Sequence, residues 1–281
     1  MPRPHEPYDA ARMERARAAQ LHAATVEHYV DPDLYDHEYK RRRADVNYYR
    51  RLALEHGGDV LELGCGSGRL FVPLIRDGAR AVGLDYSQPM LRRCAERLAR
   101  LRPAVRERAL VVRGDFRRFT LGRRFPLVVC PFNAMMHLYT HEELGAFLGC
   151  VRAHLAPSGV FAFDVLNPDL KWLTRDPDRR WARTRFKDPS TGRAYFYTTN
   201  QTYDAATQIA WIRIFYDEAE PPLGRLPRSR IVHIAHRQFF PEELRALLHY
   251  NGFRIEAREG EFDGSAFESE SESQVLRCRI A

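Results

Sequence analysis

The chain is short of lysine and of cysteine, and it has no long apolar run. Lys40, Lys171 and Lys187 are its only lysines, so the net charge of +7 rests on arginines, which are interleaved with acids along most segments. Such interleaving reads as biased amino-acid usage as readily as it reads as a nucleic-acid partner. The cysteines, Cys65, Cys94, Cys130, Cys150 and Cys278, are odd in number and form no C-x-x-C pair, which argues against a disulfide framework and a zinc site and fits a reducing compartment. No window approaches the roughly eighteen apolar residues of a membrane span. The first residues carry scattered charges (Arg3, Glu6, Asp9, Arg12, Glu14, Arg15) in place of the apolar core of a signal peptide, so a cytoplasmic protein is expected. There is no internal repeat, and the one biased tract is the serine-acid alternation Glu268–Glu272. At 281 residues the chain can bury one large core plus a subdomain, and two independent domains would be a tight fit.

The most informative stretch present is Val60-Leu61-Glu62-Leu63-Gly64-Cys65-Gly66-Ser67-Gly68-Arg69, a buried-type strand running into a glycine-rich turn that opens a helix. Glycines at 64, 66 and 68 permit conformations closed to other residues and bring main-chain N–H groups within reach of a ligand. The spacing is G-x-G-x-G with an acid at Glu62, whereas a dinucleotide fingerprint would read G-x-G-x-x-G over a pyrophosphate. A nucleoside cofactor is the ligand expected there.

Around that turn the periods alternate as in a parallel sheet: strand Val60–Leu63, helix Arg69–Arg76, strand Ala81–Asp85, helix Pro89–Arg100, strand Ala109–Gly114, strand Phe125–Pro131, helix His141–His154 and strand Val160–Val165. Leu91, Cys94, Leu98 and Leu101 fall on one helical face behind a natural N-cap at Ser87, and Thr140 to Glu143 reads as a capping box. Ahead of the sheet, one helix is expected from Tyr8 to about Thr25 and a second from about Pro32 to His56, with the compact basic run Lys40-Arg41-Arg42-Arg43 inside the second. Between Trp181 and Phe240 the pattern becomes alternating and aromatic-rich, with strands at Ala194–Gln201, Gln208–Tyr216 and Ser229–Phe239, a turn at Asp204–Thr207 and a connection through Pro221, Pro222 and Pro227. A final helix, Pro241–Leu248, ends at Asn251-Gly252, and Phe253–Ala257 and Gln274–Ile280 supply the last strands.

The glycine loop resembles the first motif of the class I S-adenosylmethionine-dependent methyltransferases, and later strand ends carry the resemblance further. It implies an α/β fold: a Rossmann-like, doubly wound sheet of about seven strands with the last antiparallel, N-terminal helices, and an inserted antiparallel β subdomain. The corresponding division is a helical lid over 1–56, a cofactor domain from 57–167 and 241–281, and a substrate subdomain over 168–240. By resemblance the loop residues Glu62, Gly64, Cys65, Gly66 and Gly68 hold the cofactor, and Asp85, followed by Tyr86, accepts from the ribose hydroxyls. Gly114-Asp115-Phe116-Arg117-Arg118-Phe119 is similar to the G-D-M-R-x-F element of small-molecule methyltransferases, which gives Asp115 the adenine amino group and Phe116 the ring. The strand-four end, with Pro131 and Asn133, would pass beneath the transferable methyl. Tyr35-Asp36-His37-Glu38-Tyr39-Lys40-Arg41-Arg42-Arg43 looks like the approach segment of sugar and glycine-type N-methyltransferases, so Tyr39 and Arg42 are expected on the cofactor carboxylate. The sequence departs from the family at Ser67, where threonine is commoner, and at Phe116, where methionine is. It has no N-P-P-Y or D-P-P-Y element, so the base-amino methylases of DNA are not matched.

His137 is the candidate general base, because a near-neutral histidine can take a proton from an attacking nitrogen or oxygen. Tyr139, His141, Asp164 and Asn167 compete for that role. Since the sulfonium is already a strong electrophile, alignment supplies most of the catalysis, and no metal is expected. The acceptor is expected to be a small molecule with an amine or hydroxyl, in a pocket lined by Tyr195, Tyr197, Trp211, Phe215, His233 and His236; Arg213 is given no role. Two alternatives stand beside this reading. One is an RNA methyltransferase, motivated by the basic balance and Lys40–Arg43; the other is a non-catalytic binding protein that holds S-adenosylhomocysteine.

Overall fold

A computed structural model of the chain describes residues 10–221 and 224–281. The expected helix start at Tyr8, the charges before Ala10 and the expected connection at Pro222 lie outside the described residues. In chain order the elements are α1 (Ala10–Glu27), α2 (Pro32–Tyr39), α3 (Ala44–Glu55), β1 (Asp59–Leu63), α4 (Phe71–Arg76), β2 (Arg80–Asp85), α5 (Gln88–Ala99), α6 (Pro103–Arg106), β3 (Ala109–Arg113), β4 (Phe125–Cys130), α7 (His141–His154), β5 (Leu155–Leu166), α8 (Leu170–Leu173), β6 (Trp181–Lys187), β7 (Ala194–Asp204), β8 (Ile209–Glu218), β9 (Ser229–Arg237), α9 (Pro241–Tyr250), β10 (Phe253–Glu259) and β11 (Ser273–Ile280).

Seven strands form the main sheet in the order β10-β11-β5-β4-β1-β2-β3. Neighbours from β5 to β3 run parallel, and β11 lies antiparallel to both β5 and β10. Alternate residues of one strand feed opposite cores, as the two-residue period requires. Leu61, Leu63, Val128 and Cys130 pack toward α7 and α9, where Leu144, Phe147, Leu148, Leu244 and Leu248 are buried. Val60, Leu127 and Val129 pack toward α3, α4 and α5 through Tyr49, Leu52, Phe71, Ile75 and Cys94. Chain order reverses between β1 and β4, and in an open parallel sheet that reversal leaves a crevice beyond the carboxyl ends of the two strands. The glycine turn and Pro131 both open onto it.

The second sheet is a four-stranded antiparallel array, β6-β7-β8-β9, inserted between β5 and α9. Helices α1 and α2 join it to the main sheet. Leu34 of α2 packs on Ile214, Tyr216, Val232 and Ile234, and Leu21 and Ala24 of α1 pack on Ile209 and Ala235. Ion pairs Arg17–Asp204 (2.7 Å) and Asp31–Arg230 (3.2 Å) and a hydrogen bond between Glu27 and His233 (2.9 Å) line the same seam.

Three local expectations are corrected. The helix expected over 32–56 is two helices, broken at Lys40–Arg43, because the chain turns there to seat Asp45 against Arg69; the Arg69 guanidinium also donates to the Arg42 carbonyl at 3.3 Å. The basic run is therefore a turn and not a helix face. Ser87 occupies the N-cap position of α5 without a side-chain cap; its amide is held by Asp85 instead. Strand β8 begins at Ile209, since Gln208 takes a left-handed φ of 57°. The capping box at Thr140 and Glu143 is present, and Gly252 ends the α9 region with φ 79°.

Candidate active site

A cavity of about 420 Å³ fills the crevice at the strand reversal. Its floor is the glycine turn. Gly64 has φ 79°, and a side chain there would meet the Cβ of Ala134 at 3.2 Å. Gly68, with φ 81°, lies against Cys94 Sγ, which a Cβ would approach to 2.9 Å. Backbone conformation and close packing thus both demand glycine at these two positions.

Asp85, at the end of β2, fastens this floor. One carboxylate oxygen accepts the Gly66 amide at 2.8 Å and the other the Ser87 amide at 2.7 Å. Burial raises its pKa, and the same amides oppose that rise. Each oxygen retains acceptor capacity after one amide bond, a donor set suited to a vicinal diol. Tyr86 stands 51% exposed at the rim. Asp115 and Phe116 follow β3 on the same wall, with Phe116 edge-on to Phe147 at 5.2 Å. Burial acts to raise the Asp115 carboxyl, but the side chain and amide of Arg117 overcome it and hold the carboxyl below its usual range. Arg117 bridges Asp115 at 2.7 Å to Glu143.

The opposite wall begins at the end of β4. Phe132 and Asn133 both adopt left-handed φ angles, 60° and 61°. Both amides donate to the buried carboxylate of Asp164, at 2.8 and 3.1 Å, and that carboxylate also accepts the Tyr49 hydroxyl at 2.6 Å. Asp164 is thus a structural clamp on a strained turn. The turn delivers a short 3-10 segment, Ala134–His137, and sets His137 on the cavity wall.

His137 is bonded at both nitrogens: Nε2 lies 2.8 Å from the Tyr29 hydroxyl and Nδ1 3.2 Å from the Tyr139 hydroxyl. The surrounding bonds select its tautomer. Thr25 donates its hydroxyl proton to the Leu21 carbonyl, so the Tyr139 proton goes to Thr25 (2.7 Å) or to the Ala235 carbonyl (3.1 Å). Either choice leaves the Tyr139 oxygen to accept from Nδ1–H, and Nε2 then accepts from Tyr29. Burial pushes the His137 pKa well below the usual histidine value, aided by His236 and His28, so the ring is neutral.

Of the residues expected at a cofactor site, Gly64, Gly66, Asp85, Tyr86, Asp115, Phe116 and Pro131 line this cavity together with His137. Glu62, Cys65 and Gly68 lie behind the turn. Glu62 is fully buried with Oε2 unpartnered, and burial raises its carboxyl well above the usual range. Cys65 sulfur packs where a Cβ on Gly83 would meet it at 2.9 Å. Tyr39 and Arg42 line a neighbouring cleft, separated from the cavity by Phe132, whose ring lies 4.8 Å from that of Tyr39 and 5.1 Å from the Arg42 guanidinium. Asn133 and Asp164 are not among the residues that line the cavity. Among the other residues weighed for the base, His141 is exposed on α7 and Asn167 bonds the Ser271 carbonyl. The aromatic residues expected to line an acceptor pocket do not line this cavity; Tyr195 and Tyr197 pack on the cluster that covers α2, and His236 packs edge-on to His137 at 5.1 Å.

The helix expected over 8–25 is present as α1, but none of its residues was named for the site. Leu21, His22, Thr25, Val26 and Tyr29 roof the cavity. Their spacing is that of one helical face, so the signal was present, but its mixed polarity left only a weak apolar stripe.

Residues 60–159 match the family description "Methyltransferase domain". The chain is 27% identical, over 66% of its length and 87% of the relative, to a dTDP-3-amino-3,4,6-trideoxy-alpha-D-glucopyranose N,N-dimethyltransferase of Streptomyces venezuelae. It is 34% identical to a dTDP-3-amino-3,6-dideoxy-alpha-D-glucopyranose N,N-dimethyltransferase of Streptomyces fradiae, over 44% of this chain and 45% of that one. Its fold is shared with the CcbJ methyltransferase of Streptomyces caelestis, at a TM-score of 0.73 and 22% identity over 92% of this chain and 99% of that chain. Among the described residues no helix is long and apolar enough to cross a membrane.

Proposed function

The chain is a class I S-adenosylmethionine-dependent methyltransferase, and we propose that it methylates the amino group of a small, sugar-like molecule. The observation that carries this reading is the hydrogen-bonded His137–Tyr29 pair lining the same cavity as Asp85. An amine attacking a sulfonium must shed a proton; a phenol whose hydroxyl donates to a neutral imidazole Nε2 can accept that proton on its oxygen as its own proton passes to the ring. The two N,N-dimethyltransferases that the sequence resembles support an amine over a hydroxyl.

In this reading the cofactor brings an activated methyl group on its sulfonium, and the residues of this chain do the rest. Asp85 takes the ribose hydroxyls on its two remaining acceptor positions, Asp115 and Phe116 hold the adenine, and the backbone of Gly64 and Gly66 permits close approach. The orphaned Glu62 oxygen behind the loop fits a site that is completed by a hydrogen-bond donor. Helix α1 roofs the cavity and keeps water out. On the acceptor side Tyr29 touches the substrate nitrogen and passes its proton to His137 Nε2, while Tyr139 and Thr25 fix the tautomer. His137 thereby works as a general base through Tyr29.

The experiment is incubation of the protein with S-adenosylmethionine and a panel of free and nucleotide-linked amino sugars beside their hydroxyl counterparts, read by mass spectrometry. Addition of one or two methyl groups to the amines, with the hydroxyl counterparts unchanged, is expected. Methylation of the hydroxyl compounds alone, or of RNA alone, would overturn the acceptor assignment.

A further inference from the structure

A second concavity, about 290 Å³, opens on the far side of the glycine turn between the α2–α3 turn, α4 and α5. Seven cations line it and one acid does, Asp36. That acid is saturated: it takes Arg93 at 3.0 Å, Arg97 at 2.7 Å and the Ser67 hydroxyl at 2.6 Å. Arg69 is likewise engaged with buried Asp45. The rest of the positive charge has no such partner. The side chains of Arg43, Arg76 and Arg100 form no hydrogen bond or ion pair with any described residue, and the Lys40 side chain reaches only His37 Nδ1, at 3.5 Å.

Elsewhere some arginines meet acids, as in Arg50–Asp77 at 2.6 Å and Arg279–Glu256 at 2.8 Å, and others such as Arg92, Arg102 and Arg254 meet none among the described residues; what distinguishes this cleft is that three such arginines and Lys40 line one concavity whose single acid is already taken. Folding draws these cations together from three separate segments against their mutual repulsion, and an anion in the cleft would relieve that cost. Guanidinium forks match phosphate oxygens two at a time, and a lysine adds a point charge. The geometry points to a binding site for a phosphate chain, of the diphosphate kind, separate from the cofactor cavity. Its wall is shared with that cavity through Phe132, over which Arg69 lies at 4.2 Å and Arg42 at 5.1 Å. Anion binding is therefore placed to order the turn that carries Tyr39 and Arg42. The site itself does not depend on the acceptor proposed above.

The test is calorimetric titration at low salt with inorganic pyrophosphate and, separately, with adenosine diphosphate, each with and without saturating S-adenosylhomocysteine. Saturable binding is expected that weakens as salt rises, persists with S-adenosylhomocysteine present, and falls about tenfold or more in an Arg43→Gln/Arg76→Gln/Arg100→Gln variant. Equal affinity for the two anions would mean that the phosphate chain alone is read, and tighter diphosphate binding would mean a nucleotide; both support the site. An Arg76→Lys/Arg100→Lys variant should retain binding, which separates lost charge from lost fold, and thermal melts check that the glutamine variant is folded. No saturable binding in the wild type, unchanged affinity in the glutamine variant, or displacement by S-adenosylhomocysteine would overturn the proposal. The last result would make the cleft the carboxylate end of the cofactor site.

Discussion

The Tyr29 hydroxyl donates to Nε2 of His137 at 2.8 Å, joining the roof helix α1 to the strand-four connection across the cavity. Its direction follows from the bonds of Tyr139 and Thr25, which leave Nδ1 of His137 as the donor. If this pair removes the acceptor proton, His137→Gln and Tyr29→Phe should each lower kcat by roughly a hundredfold while leaving affinity for S-adenosylhomocysteine within about twofold. Single-turnover kinetics beside calorimetry measures both. Unchanged kcat in both variants would return catalysis to alignment alone.

Because burial keeps His137 neutral, its own titration should not appear in the rate between about pH 6 and about pH 9. The rise in kcat/KM with pH should follow the amine of whichever acceptor is used, moving when the acceptor pKa moves. An inflection fixed near the ordinary histidine value for every acceptor would contradict it.

The fold's pH dependence has a definite sign. Burial lowers His28 and His236 to about 4, with His137 shifted the same way. All three bind protons more readily when unfolded, so their contribution is present above the ordinary histidine pKa and is lost as pH falls toward about 4. Between about pH 7 and about pH 5 the loss should be on the order of 2 kcal/mol for each of His28 and His236, and His236→Gln should flatten the slope. Glu38 works in the opposite sense, with burial raising its carboxyl to about 7. Glu38→Gln should therefore stabilise the protein at high pH and make little difference at low pH. Urea titrations across pH measure both slopes.

Asp164 holds the left-handed pair Phe132–Asn133 from below. Asp164→Ala leaves two buried amides and the Tyr49 hydroxyl unpartnered, and should cost on the order of 3 kcal/mol in unfolding free energy. It should also weaken S-adenosylhomocysteine binding, because the turn forms one wall of the cavity. A loss below about 1 kcal/mol would show that the turn keeps its shape unaided.

How much of this could be read from the sequence varies with the range of the forces involved. Strand Val60–Leu63, the glycine turn and Asp85 were legible because burial period and backbone freedom are local properties. The break at Lys40–Arg43 was not, since its residues are fair helix formers and the turn is fixed by Asp45 reaching Arg69 in a distant segment. The strands of the inserted sheet were visible in their alternation, but alternation cannot say which face meets the site. Tyr195 and Tyr197 turned out to serve α2, while α1 supplied the roof. His137 was found from its place after β4; Tyr29, its partner 108 residues away in the chain, could be paired with it only in three dimensions.

The most direct test of the central claim, that Asp85 and the glycine turn hold the cofactor, is calorimetric titration with S-adenosylhomocysteine of the wild type and of Asp85→Ala. The account predicts one site of about micromolar affinity in the wild type, lost by at least about a hundredfold in the variant if, as proposed, that carboxylate takes the two ribose hydroxyls. Equal affinity in the two proteins, or none in either, would contradict it.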